Sequence, residues 1–116
     1  MEAVVLAVDP ARNSGVACLF PYQGASRRML FTKAVKVEDG VEGFDVVRRT
    51  VQEMRVQVEA LGFDPTKVRI VIENQHVRFA QAAIIVASIR RLWEVYLYEI
   101  FRVKPVMIHP SEWRTR

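Results

Sequence analysis

The 116-residue chain has one cysteine, two histidines, five glycines and five prolines. A lone thiol excludes both a disulfide framework and a cysteine-based zinc site. Cys18 lies within an apolar run and reads as a small core residue. No apolar run is long enough to cross a bilayer, and neither low-complexity segments nor internal repeats are present. The N-terminus shows no basic flank and no signal-peptidase site, since Met1-Glu2 opens directly on a strand-like run. A cytoplasmic setting is therefore expected.

The rest of the composition is globular. Hydrophobic residues make up 51% and charged residues 26%, which fits one domain, residues 1–116, with a core of its own. Lys and Arg number 17 against 13 Asp and Glu, giving net charge +4 and a pI near 9.6. Such a balance makes a polyanionic partner plausible. Most of the cations are arginine, which grips phosphate through two parallel hydrogen bonds, so nucleic acid ranks above a membrane surface.

Periodicity organises the chain into an α/β pattern. Residues 3–8 read as a buried strand, the stretch Asp9-Pro10-Ala11-Arg12-Asn13-Ser14-Gly15 as a turn, and Val16 to Phe20 as the returning strand of a hairpin. Met29 to Val37 supplies a third strand. From Val41 to Leu61 apolar residues recur every three or four positions with charges between them, the pattern of an amphipathic helix, and Gly62 suits its C-terminal cap. Val68 to Ile72 forms a fourth strand. A longer helix from about Arg78 to Phe101 is apolar around most of its circumference and must be covered on more than one side. Pro105 to His109 makes a short fifth strand, after which Pro110-Ser111-Glu112-Trp113 resembles the first turn of a further helix.

Two of these strands end on an acid: the first leads into Asp9 and the fourth into Glu73. Strand ends are where such sheets bind ligands, and two carboxylates brought together repel each other unless a hard cation such as Mg²⁺ lies between them. The alternative is that Asp9 merely starts a turn, as Asp before Pro often does, and that Glu73 caps the next element.

The order βββ-α-β-α-β is a ribonuclease H-like mixed-sheet arrangement. Ala7-Val8-Asp9-Pro10 with Gly15 resembles the first motif of RuvC-like Holliday junction resolvases, Ile70-Val71-Ile72-Glu73-Asn74-Gln75 the second, and His109-Pro110-Ser111-Glu112-Trp113 the Pro-Ser segment after the fifth strand. The resemblance covers essentially the whole chain. It implies a homodimeric endonuclease that resolves four-way junctions or related branched DNA by two-metal phosphodiester hydrolysis, with Asp9 and Glu73 as catalytic metal ligands and Mg²⁺, replaceable by Mn²⁺, as cofactor. Asp9 would be the bridging ligand. Arg12 and Asn13 after the first acid, and Gln75, His76, Arg78 and Phe79 after the second, are the expected DNA contacts; His76 stands where the family places an aromatic residue. Ile85, Ile89, Trp93 and Tyr96 on the long helix are the expected dimer interface.

Two departures from the family pattern bear on this reading. Ala11 stands where a glycine usually follows Asp-Pro, and the family's further ligand pair lies on the helix that begins where this sequence ends. The reading frame is accordingly expected to continue beyond Arg116 into that helix, and Glu112 is the least implausible substitute within the chain. Two other functions fit the same residues: a non-catalytic branched-DNA-binding module, and a ribonuclease H-like nuclease acting on another nucleic acid. The arginine doublets 27–28, 48–49 and 90–91 are available to phosphate or to solvent alike.

Overall fold

Alternation of apolar and small or polar residues sets the architecture. A computed structural model describes residues 4–23, 26–74 and 80–108. In these residues β1 (Val5–Asp9), β2 (Asn13–Gln23) and β3 (Ser26–Lys36) are followed by α1 (Val41–Ala60), β4 (Arg69–Glu73), α2 (Ala80–Phe101) and β5 (Val106–Ile108). The five strands form one sheet in the order β3-β2-β1-β4-β5. β1 pairs antiparallel with β2 and parallel with β4, so it lies at the centre. This is the mixed α/β sheet expected from the sequence.

Strand residues of one parity face the helices. Leu6 and Val8 of β1, Val16 and Cys18 of β2, and Ile70 and Ile72 of β4 are buried in one cluster with Val47, Val51, Met54 and Val58 of α1. Ile89, Trp93, Leu97 and Phe101 of α2 complete it. Their spacing of three to four residues is one helical stripe. Burial pushes the Cys18 thiol up to about 11, in keeping with a core role and not a reactive one. Both helices thus cover the same sheet face. Among the described residues no helix covers the other face, which exposes Met29 and Val106.

Local signals explain the helix ends. Gly62 adopts φ +90° beyond α1, where its N–H reaches the Glu59 carbonyl at 2.9 Å, as the sequence led one to expect of a C-terminal cap. At the other end Gly43 packs so closely on the preceding loop that a Cβ there would lie 2.0 Å from the Glu38 carbonyl oxygen.

Two expectations need correction. β2 begins at Asn13 and not at Val16, because Asn13, Ser14 and Gly15 pair with Lys36, Val35 and Ala34 of β3. These residues look like turn formers, yet the ladder outweighs their propensity. The expected dimer residues are also placed differently. Ile89 and Trp93 are inside the protein's own core, and Ile85 and Tyr96 are half-buried against it. A tryptophan without exposed surface has nothing left to offer a partner. The exposed apolar side chains of α2 are Ile84, Val95 and Tyr98, with Phe44 of α1 exposed as well.

Candidate metal centre

The register of the central strands places the two acids. Val5 to Val8 of β1 pair in parallel with Arg69 to Ile72 of β4, so the next position on each strand, Asp9 and Glu73, falls side by side at the same end of the sheet. Leu6, Val8, Ile70 and Ile72 point into the helix-covered core, and alternation sends Ala7, Asp9, Val71 and Glu73 to the open face. Asp9 is exposed and Glu73 half-buried. Beside them runs a groove of about 540 Å³ whose walls include Ala7, Ala17, Val71 and Ile108. Gly15 is the register partner of Asp9, and an added Cβ there would make only an ordinary van der Waals contact, 3.9 Å from the Asp9 Cβ.

Electrostatics mark the pair. The Asp9 carboxyl is held above its ordinary value of 3.8 by desolvation first, then by the charge of Glu73 and by a hydrogen bond between the two side chains. In donor type the pair suits a hard divalent cation, because Mg²⁺ is commonly held by one or two carboxylates, with waters and substrate phosphates completing its shell. Among the described residues no cluster of three or more His, Cys, Asp or Glu forms.

The raised Asp9 value has a consequence for stability. A carboxyl that titrates higher in the folded than in the unfolded chain takes up protons on folding. Folding therefore loses stability as pH rises from 3.8 through the raised value. Asp9→Asn is expected to raise the thermal midpoint of the metal-free protein at pH 7, with the advantage fading in acid below the unfolded value. Calorimetry in EDTA at several pH values measures this, and a lower midpoint for the variant at pH 7 would contradict it.

The surroundings divide into several groups. Arg12 and Asn13 are exposed in and just after the turn that follows Asp9. Arg12 meets Asp39 at 3.3 Å in a solvent-exposed pair, which is worth little and leaves the guanidinium accessible to phosphate. Gln75, His76, Arg78 and Phe79, together with His109 and Glu112, lie outside the described residues. Arg48 and Arg49 pair with Asp45, and Arg91 with Glu94. These are local surface pairs on the helices.

Sequence reasoning missed a buried polar link. The Trp93 indole Nε1–H donates to Ser14 Oγ at 3.1 Å, and Ser14 Oγ in turn donates to the Ala11 carbonyl at 2.6 Å. A buried tryptophan needs an acceptor for its N–H, so the sequence signalled a polar partner but not which one.

Comparison with known proteins adds the fold. No protein-family model matches the chain, and no curated protein matches it significantly. Among solved structures it is similar to RuvC of Thermus thermophilus in complex with Holliday junction substrate, with TM-score 0.72 and 17% identity over 98% of this chain and 69% of that one. A second Thermus thermophilus RuvC structure gives TM-score 0.69 and 20% identity, covering 92% of this chain and 64% of that one. An exopolyphosphatase from Cytophaga hutchinsonii gives TM-score 0.56 and 13% identity, covering 93% and 35%. The chain thus spans about two thirds of the RuvC chains. At these identities the likeness establishes a RuvC-like, ribonuclease H-type fold.

Proposed function

We propose that this chain is the nuclease domain of a metal-dependent endonuclease of branched DNA, with the four-way junction as substrate. The observation that carries the reading is the side-by-side placement of Asp9 and Glu73 at the ends of adjacent parallel strands, where desolvation first and the neighbouring Glu73 second hold the Asp9 carboxyl up. The shared fold with RuvC, one of whose structures contains a Holliday junction substrate, supports the same reading.

Asp9 and Glu73 would hold Mg²⁺, for which Mn²⁺ would substitute, through hard carboxylate oxygens. A divalent cation bound there supplies Lewis-acid activation of water and relief of charge on the departing oxygen. The chain's own groups then have distinct tasks. Arg12 and Asn13 would contact phosphates flanking the acids, and Gln75, His76, Arg78 and Phe79, which follow Glu73 in the sequence, would meet bases and phosphates. The excess of arginine provides attraction independent of sequence.

A four-way junction has two equivalent strands to cut, and a twofold homodimer presents two sites in matching geometry. The exposed stripe Ile84, Val95 and Tyr98 of α2 is the surface we assign to that contact. A non-catalytic DNA-binding role is the second reading, favoured by the presence of only two clustered acids among the described residues.

The test is cleavage of end-labelled four-way junctions in Mg²⁺, in Mn²⁺ and in EDTA, with linear duplex, single-stranded DNA, an RNA–DNA hybrid and polyphosphate alongside. Metal-dependent, paired incisions in the junction alone are expected. Junction binding without incision in either metal would favour the non-catalytic reading. Preferential hydrolysis of the hybrid or of polyphosphate would move the substrate elsewhere.

A further inference from the structure

One turn of α2 holds both the start of β2, just past the turn that follows Asp9, and the residue that follows Glu73. On the β1 side, the hydroxyl of Ser14 closes the turn that follows Asp9: it accepts from the Ala11 N–H at 3.2 Å, donates to the Ala11 carbonyl at 2.6 Å, and accepts from the Trp93 indole at 3.1 Å. One donor and two acceptor sites are all that a hydroxyl offers, so Ser14 is fully used. Ser14 and Trp93 are both buried, 79 residues apart in sequence.

On the β4 side, Asn74, the residue after Glu73, is held from two directions. Its N–H donates to the Ile108 carbonyl of β5 at 2.7 Å, and its Oδ1 accepts from Arg90 Nη1 at 2.6 Å. Arg90 and Trp93 are three residues apart on α2 and therefore neighbours on its surface. The helix reaches the residue after β4 and the start of β2 through one directional bond each.

We propose that Arg90 and Trp93 are positioning residues that fix the separation of Asp9 and Glu73, so that this turn of α2, through Asn74 and Ser14, sets how tightly the pair holds a divalent cation. The inference rests on the metal-holding role proposed for the two acids. Packing alone would hold the sheet together, but it does not prescribe where a strand's last residue ends. A directional hydrogen bond from a rigid helix does, because its distance and angle tolerate little drift; the Trp93–Ser14 bond is buried, and the Arg90–Asn74 bond is solvent-exposed. Groups of this kind behind metal ligands commonly change metal affinity tenfold or more when removed.

The test uses the full chain and reads Mn²⁺ affinity by calorimetry together with hydrogen exchange of the Ala11 amide. Trp93→Phe keeps a large ring and removes the N–H; Arg90→Met keeps length and removes the guanidinium. Each is expected to weaken Mn²⁺ binding by roughly tenfold, and Trp93→Phe alone to speed Ala11 exchange. Val58→Ala, a core change toward the C-terminal end of α1, serves as the comparison: it is expected to lower the thermal midpoint while leaving Mn²⁺ affinity and Ala11 exchange relative to global unfolding unchanged. Ser14→Ala provides a second route to the same link if Trp93→Phe fails to fold. Unaltered Mn²⁺ affinity in both positioning variants, with tight binding by the wild-type chain, would overturn this inference and leave the metal centre standing. Wild-type binding no stronger than that of Asp9→Asn would overturn the metal centre itself, and this inference with it.

Discussion

Asp9→Asn and Glu73→Gln should each lower the rate of the proposed metal-dependent junction cleavage by on the order of 10²–10³-fold or more, since each would remove an anionic ligand of the proposed cation at the point where transition-state charge must be stabilised. Binding of the junction should persist or tighten. Both changes delete a negative charge near a polyanion and leave the arginines in place. Single-turnover cleavage at saturating protein separates the two quantities, and gel-shift titration at fixed salt gives the affinity. Full turnover in either variant at saturating Mg²⁺ would remove these residues from the reaction. Loss of binding in step with cleavage would make them structural. The opposite responses expected of Asp9→Asn, greater stability without metal and lost activity with it, are the combination that a site built from mutually repelling groups should give.

The parts of this site legible in the sequence were those governed by short-range patterns. The apolar runs Val4 to Val8 and Val68 to Ile72 identified two strands, and the acids at their tips needed only the count of residues to be noticed. Their adjacency required the parallel pairing of β1 with β4, which the resemblance in the motifs implied and periodicity alone did not. The helix Val41–Ala60 was legible for the same reason, with Gly62 punctuating its end.

What was not legible depended on tertiary choice. Asn13-Ser14-Gly15 carries turn propensity, yet β3 supplies a ladder for it and Trp93 supplies a donor for its hydroxyl. The phase of α2 was hidden in a different way. A helix apolar on several faces gives no sequence signal for which stripe meets the sheet, and the largest side chain was assigned outward. In the structure Trp93 turns inward, where an apolar pocket and the Ser14 oxygen satisfy both halves of an indole. The outer stripe is left with Ile84, Val95 and Tyr98.

That assignment leads to the largest expected effect on stability. Trp93 has no exposed surface, and its truncation to alanine removes both a large buried ring and the donor to Ser14. Trp93→Ala is expected to cost about 3–5 kcal/mol, with much of the loss coming from a cavity that the surrounding strands and helix cannot fill. For a domain of this size the thermal midpoint should fall by on the order of 10–20 °C. The fall should be the same at low and high protein concentration, because the ring is buried within one chain and not between two. Tyr98→Glu is the opposing case. Tyr98 is 52% exposed, so a charge there should leave stability within about 0.5 kcal/mol and act on association instead, converting the proposed dimer to monomer in sedimentation if the outer stripe is the contact. A midpoint for Trp93→Ala that recovers with protein concentration would return Trp93 to an interface. A Tyr98→Glu chain that sediments as the wild type does would take the contact away from α2's outer stripe.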